Sequence, residues 1–501
     1  MKTNRLTIVL LAMASFAGIK AQTSFDAAKV YEEELNGTAR YVGMGGAMSA
    51  LGSDASVISH NPAGIGTYRQ SDINASLSFW RGSVNTDPKV TKSNPGIANG
   101  RTFYSKNTEG DFNIGFDNFS AVFSGSESGD NYLNFAVSYR KLQNMNRVVD
   151  YYDKFYVPDD SDPSRKYVVY RDFKDSQRNK INSFDFNLSC NLSDKVYLGW
   201  TIGFLSTDTW SEGYLYDYYP DAKTASADGE KNFVVPEYAA AGHDYTAMDK
   251  MNTADGSGWN MSFGVIIRPV QPLRLGVALK TPTWYRQKLE YSDYLYAFMD
   301  CDFKDDNGNV SQSRNSVDYK FSSPWTLNLS AGLTIGQTAL GFEYEKHFTQ
   351  RSSLSIGNTK MESQGSLDYK DYSTIKVGLE QNIGNFSLRG GYNYIEPMFK
   401  ENAYPYLFDS DFNGWGYDED ENLYVGRGDF QIDRIGKTQY ITTGLGYCSE
   451  PDSDGTQFYV DLAYILGIRG SVFNLNEFEE DVNVKYNYIT NKVMLTIGFT
   501  F

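Results

Sequence analysis

The sequence predicts an all-β membrane protein: a fourteen-stranded antiparallel barrel closed around an N-terminal plug of short helices and turns. Three observations carry this expectation. From Ser71 to Phe501 the chain repeats one unit, a stretch of alternating apolar and polar residues followed by a turn. The connections between these units alternate short and long. Ahead of them, Gly37 to Tyr68 is rich in Gly, Ala and Ser and almost uncharged, unlike anything that follows.

Composition agrees. The 501 residues include 38 Tyr, 31 Phe and 45 Gly but only 14 Pro, a mixture suited to strands. The mean hydropathy of −0.47 excludes a helical membrane protein. A barrel hides its membrane signal because half of each strand faces a polar lumen. The net charge of −16 argues against nucleic acid or an anionic surface as partner.

Residues 1–21 read as a secretory signal, with Lys2 and Arg5 ahead of an apolar run from Leu6 to Ile19. Cleavage is expected after Ala21, although Ile19 is larger than the residue preferred there. Residues 22–70 are expected to form the plug. Within them Asp26 to Leu35 reads as a helix, with Ala27, Val30, Tyr31 and Leu35 on one face. Ser53 or Asp54 is placed to cap a second short helix through Ile58 or Ser59. Asn61-Pro62 stops it, because the residue before a proline is steered away from helical geometry. The glycines of this stretch permit tight turns and close backbone approach.

Residues 71–501 supply fourteen strand candidates. Val196, Leu198, Trp200, Ile202 and Phe204 oppose Tyr197, Gly199, Thr201 and Gly203. Trp259 to Ile267 and Trp325 to Ile335 repeat the pattern. One apolar face and one small or polar face fits lipid outside and water inside. A soluble sandwich would alternate too, so connection lengths decide. Ser193 to Lys195, Pro269 to Pro272, Gly336-Gln337 and Gly384-Asn385 are tight. Tyr151 to Lys180, Ser211 to Gly256 and Pro397 to Asp433 read as long loops. Short turns on one side and long loops on the other mark outer-membrane barrels. In the last strand Val493, Leu495, Ile497, Phe499 and Phe501 alternate with Met494, Thr496, Gly498 and Thr500. A terminal aromatic resembles the signal read by the barrel assembly machinery. Three cysteines (Cys190, Cys301, Cys448) are too few for a disulfide scaffold.

With these elements placed, the chain resembles the long-chain fatty-acid transporter family (the FadL/TodX type). Gly45-Gly46-Ala47, Asp54-Ala55-Ser56 and Asn61-Pro62-Ala63-Gly64 resemble that family's plug. Looser matches are Leu273 to Val277 with Thr281-Pro282, Ser323-Pro324-Trp325, and Leu388 to Tyr392. The resemblance covers nearly the whole mature chain and departs in the long acidic loops. It implies capture of a hydrophobic compound near the outer mouth, movement of the plug's N-terminal end, and sideways release into the membrane. It assigns the gating role to Asn61, Pro62, Ala63 and Gly64. A hydrophobic ligand gains nothing from a water-filled channel, so a lateral exit is physically sensible.

The strand phase turns Arg140, Lys280, Lys376 and Arg389 inward, where each meets either a ligand carboxylate or the protein's own acids. Asp409, Asp411, Asn413 and Asp420 echo a calcium loop. Asp420 is short for the closing position and no flanking helices are evident, so a solvated acidic loop is the better reading. Val42 to Ala47 lacks the third glycine of a dinucleotide loop. His60, His243 and His347 are scattered, without metal-ligand spacing, and no Ser/His/Asp set stands out. No cofactor and no enzyme activity are expected. The reading is therefore a monomeric outer-membrane carrier of hydrophobic molecules, with a scaffold for exported proteins or lipopolysaccharide, or an aqueous pore, as alternatives.

Overall fold

A computed structural model describes residues 28, 30–31, 33–86, 96–98, 101–105, 108–109, 112–128, 131–159, 162–218, 233–234, 245–297, 311–356, 359–360, 369–400, 415–417, 423–425, 432–477 and 480–501. The signal segment, Cys301, His243 and the calcium-loop positions Asp409, Asp411, Asn413 and Asp420 lie outside the described residues.

Fourteen antiparallel strands close into a barrel. They are β1 Asp72–Thr86, β2 Asn113–Ser128, β3 Asn131–Asp159, β4 Asp162–Leu192, β5 Val196–Tyr218 and β6 Tyr245–Val270. Strand β7 runs Leu273–Lys280 and resumes as Trp284–Ala297, and β8 runs Ser311–Ser322 and resumes as Trp325–Ile335. The rest are β9 Thr338–Phe348, β10 Tyr372–Ile383, β11 Phe386–Ile395, β12 Ile432–Cys448, β13 Gln457–Glu477 and β14 Glu480–Thr500. Short strands decorate the connections. The interruptions fall at Thr281-Pro282 and Ser323-Pro324, where proline cannot donate to the ladder.

Closure is made by the two ends of the barrel. Asp72 to Thr86 of β1 pairs with Thr500 to Tyr486 of β14. Ser71 and Phe501 then exchange both backbone hydrogen bonds, at 2.9 and 3.0 Å. A closed barrel leaves no edge unpaired, which lipid demands. Among the described residues no helix is long and apolar enough to cross a membrane; the strands cross instead.

The alternation sorts side chains as expected. Leu188, Trp200, Phe263, Val277 and Leu329 point outward and stand exposed. Asn187, Thr201, Ser262 and Asn328 point into the lumen and are buried. So many exposed large apolar groups in one continuous band is the mark of a lipid-facing surface. One outward row is almost wholly aromatic. Tyr139, Phe184, Phe204, Trp259 and Trp284 are successive register partners across β3 to β7.

The structure corrects the loop expectations. Tyr151 to Lys180 is largely strand, because β3 and β4 extend to 29 and 31 residues and pair along their length. Strands β5 and β6 likewise run into the Ser211 to Gly256 stretch. Polar strands rich in Tyr and Val still pair beyond the apolar zone, and a hydropathy pattern does not register that. The leader helix is shorter than expected. Ala28, Val30 and Tyr31 are helical, but the chain is non-helical from Glu33.

Candidate functional site

Residues 33–70 sit inside the barrel. The helix α1, Ala39–Gly43, is capped by Thr38, and 3-10 turns follow at Ala55–Ser59 and Pro62–Thr67. Asp54 caps the first turn by accepting from Ser56 N, and Asn61 caps the second by accepting from Ala63 N at 3.2 Å. Pro62 occupies the first helical position, where its missing N–H costs nothing.

Turns this short leave most backbone groups unsatisfied, so the wall satisfies them. Thr201 donates to the Ile58 carbonyl at 2.7 Å and Ser262 to that of Ser59 at 3.2 Å. Asn187 donates to the Pro62 carbonyl at 3.3 Å, and Asn134 to those of Ile65 and Tyr68 at 2.8 and 2.9 Å. The small polar face of each strand is therefore the docking surface for the plug.

Glycine sets how close the two surfaces come. Gly332, Gly341, Gly378 and Gly391 are successive register partners across β8 to β11. A Cβ at Gly341 would overlap the Ala47 carbonyl oxygen, and one at Gly378 the Met44 carbonyl oxygen. A second pair, Gly199 and Gly264, is likewise in register. Side chains there would overlap Asn61, Pro62 and Ala63. Plug backbone lies directly on wall backbone at both places.

The four candidate ligand-contacting cations of the sequence reading are all buried or half-buried, and each faces a protein carboxylate. Arg140 binds Asp185 at 2.8 Å. Lys376 binds Glu343 at 2.7 Å and Glu345 at 3.0 Å. Arg389 bridges Glu380 at 2.6 Å and Asp461. Lys280 binds Glu33. These pairs are not confined to the wall. Arg40 of the plug makes a bidentate contact to Glu380, both bonds 2.9 Å, and also donates to the Ser53 carbonyl at 2.8 Å. His60 Nδ1 lies 3.0 Å from Glu345 Oε1. Ligand-type atoms of His60, Glu343 and Glu345 lie within 4.8 Å of one another, but the Lys376 ammonium already stands against both carboxylates. The cluster is a plug-to-wall ion network.

Arg40, His60 and Glu33 were missed by the sequence reading. A signal existed for Arg40, the only Lys or Arg between Gly37 and Tyr68. No signal marks His60, whose partner lies 285 positions away.

The leader is held separately. Glu34 N donates to the Leu142 carbonyl at 2.9 Å, where β3 bulges between Lys141 and Gln143. Asn36 donates to Asp117, beside the bulge in the β1–β2 pairing, and accepts from Lys492 at 3.1 Å. Burial would push the Glu33 carboxyl up, but the Lys280 ammonium outweighs it and holds that group at about 2.

Above this, the lumen turns apolar. Tyr31, with Ala28 and Val30, packs among inward-facing Leu142, Ile181, Leu205, Tyr285, Phe321 and Tyr369. The Tyr31 ring is 5.9 Å from both Phe321 and Tyr369, and Tyr285 stacks on Phe321 at 4.8 Å. The adjoining cavity is only about 90 Å3 and its lining is mixed, including Glu33, His60, Lys280, Glu345 and Tyr372.

These features define a membrane β-barrel of the outer-membrane type whose own N-terminal segment fills the lumen. No protein-family model and no curated protein matches the chain. Solved structures do. A FadL homologue of Pseudomonas aeruginosa superposes with a TM-score of 0.56 at 12% identity, over 94% of this chain and 99% of that one. The Pseudomonas putida toluene transporter TodX gives 0.52 at 11% identity, over 93% and 99%. The CymD monoaromatic hydrocarbon channel gives 0.51 at 13% identity, over 92% and 97%. The chain has the fold of the FadL-type channels.

Proposed function

We propose that the protein carries hydrophobic compounds across the outer membrane, long-chain fatty acids first among them, by a route that requires the leader to withdraw. The observation carrying this reading is the apolar, aromatic-walled chamber around Tyr31, in a barrel whose inner wall elsewhere presents many small and polar side chains to the plug. A water-filled pore has no use for inward-facing Ile181, Leu205 and Phe321. Two of the solved structures sharing the fold are a toluene transporter and a monoaromatic hydrocarbon channel, which supports a hydrophobic cargo.

Magnitude sets the gating step. Ligand pockets start at about 300 Å3, and the free cavity here is about 90 Å3. Tyr31 and its neighbours occupy the space a ligand needs. The body of the plug is seated backbone-to-backbone on glycine, so the leader ahead of Asn36 is the part free to yield. Of the four inward cations, Lys280 is the one whose partner, Glu33, belongs to the leader. When the leader withdraws, Lys280 becomes available to an acidic head group. Release is assigned to the side of the barrel, beside the bulges at Asp117 and Leu142, where the ladder is already irregular.

The deciding experiment is mass spectrometry of lipids extracted from gently purified protein, comparing the native chain with Tyr31→Ala. Enrichment of fatty acids or other hydrophobic molecules, rising in the variant, is expected. Equal, background-level recovery from both would overturn the reading.

A further inference from the structure

The outer surface of the barrel carries a feature that cargo transport does not use. Directly beyond the aromatic row, the next outward row runs Lys141, Asn182, Ser206, Ser257, Arg286 and Lys320. These six are successive register partners across β3 to β8. The row holds three cations and no acid. The row after it is mixed: Lys180, Asp208, Asp255, Lys288 and Asp318, again in register. That row carries two cations and three acids, with Asp208 and Asp255 directly opposite one another, and Lys288 also pairs with Glu290 at 2.9 Å.

Arg286 and Lys320 are the point of interest. They are direct cross-strand partners, and both are exposed. Like charges placed directly opposite one another destabilise a strand pair. Beside them stands exposed Ser257, a hydroxyl in the same row. Two residues along the strands of Arg286 and Ser257, Trp284 and Trp259 pack with ring centroids 4.5 Å apart. Paired tryptophans at the end of an apolar stretch suit the boundary between acyl chains and head groups. An anion held between Arg286 and Lys320 would remove the repulsion between them and accept a hydrogen bond from Ser257.

We infer that Arg286, Lys320 and Ser257 form an outward-facing site for the phosphate of an anionic membrane lipid, whose acyl chains lie over Trp259 and Trp284. Guanidinium and ammonium donors side by side suit a phosphate, which offers several acceptor oxygens at once. The location selects a lipid rather than a soluble anion, because the site adjoins surface that only lipid covers. The chain's net charge of −16 does not oppose this. Electrostatic attraction at contact range follows local charge, and exposed charges beyond about 10 Å are screened.

The test uses the full-length protein in a zwitterionic detergent. Native mass spectrometry reads retention of a bisphosphorylated glucosamine lipid against phosphatidylcholine. The native protein should retain the phosphorylated lipid at least about tenfold better, and Arg286→Gln with Lys320→Gln should abolish that preference. Lys437→Gln, an outward cation on β12, should leave it intact. Without lipid, the double variant should melt no lower than the native protein, because its like-charge pair is gone. Added phosphorylated lipid should raise only the native melting temperature. Equal retention by native and double variant overturns the proposal. So does displacement of the lipid by millimolar inorganic phosphate, which would mark a site for free anions.

Discussion

Gly341 of β9 and Ala47 of the plug meet backbone against backbone, with no room for a methyl group between them. Register extends the contact sideways to Gly332, Gly378 and Gly391. Gly390, next in sequence to Gly391, faces outward into open space. Gly341→Ala should therefore unseat residues 43–51 at a cost of about 1–3 kcal/mol, while Gly390→Ala should not. Hydrogen exchange across the plug separates the two. Equal protection in both variants would show that the close approach is unimportant.

Asn61 acts as the cap of the Pro62–Thr67 turn. Asn61→Ala removes the bond to Ala63 N and should weaken the plug by about 1 kcal/mol without preventing barrel closure. The expected result is normal amounts of heat-modifiable barrel with faster exchange at residues 62–67. If the variant fails to assemble at all, the turn belongs to the folding nucleus and not to the gate.

Among the described residues Lys376 is the Lys or Arg that stands against both Glu343, which is fully buried, and Glu345. Lys376→Met leaves the two carboxylates without that ammonium, facing His60, His347, Asn328 and the Ser49 N–H. Loss of one partner from a buried pair costs about 3–5 kcal/mol, and the urea midpoint should fall accordingly. Adding Glu343→Gln should recover part of the loss, since one of the stranded charges is then removed.

The Glu33 carboxyl is held at about 2, below the ordinary value of 4.5. A lowered value means the folded state binds the proton less readily. Its stabilising contribution is complete above the ordinary value and is lost as pH falls through about 2. The Glu33–Lys280 contact should thus be constant from pH 5 to 8 and fail only in strong acid. Exchange at Glu34 N, followed against pH, checks this. A break near neutrality would place the control elsewhere.

Phe501 completes the seam through its two backbone bonds to Ser71. Deleting it should lower the yield of heat-modifiable barrel severalfold. Phe501→Leu should restore part of that yield if the backbone seam matters most. Failure of Phe501→Leu to restore anything would assign the effect to recognition of the aromatic ring.

Much of the architecture was legible because it follows from a period of two. Each strand must show lipid one face and water the other, so alternation near Trp200, Phe263 and Leu329 reveals the barrel and its phase. The plug was legible for a related reason: its glycines and other small residues let its backbone lie close against the wall. Strand length beyond the membrane was not, because polar strands such as those after Tyr151 carry no hydropathy signal.

The inward direction of Arg140, Lys280, Lys376 and Arg389 was also set by that local alternation. Which carboxylate each one meets was decided by tertiary structure alone. Arg40 reaches Glu380 across 340 positions, and Lys280 reaches Glu33 across 247. Closure of the barrel and seating of the plug create those neighbours. A one-dimensional pattern fixes which way a side chain points, whereas a charge pair depends on three-dimensional distance.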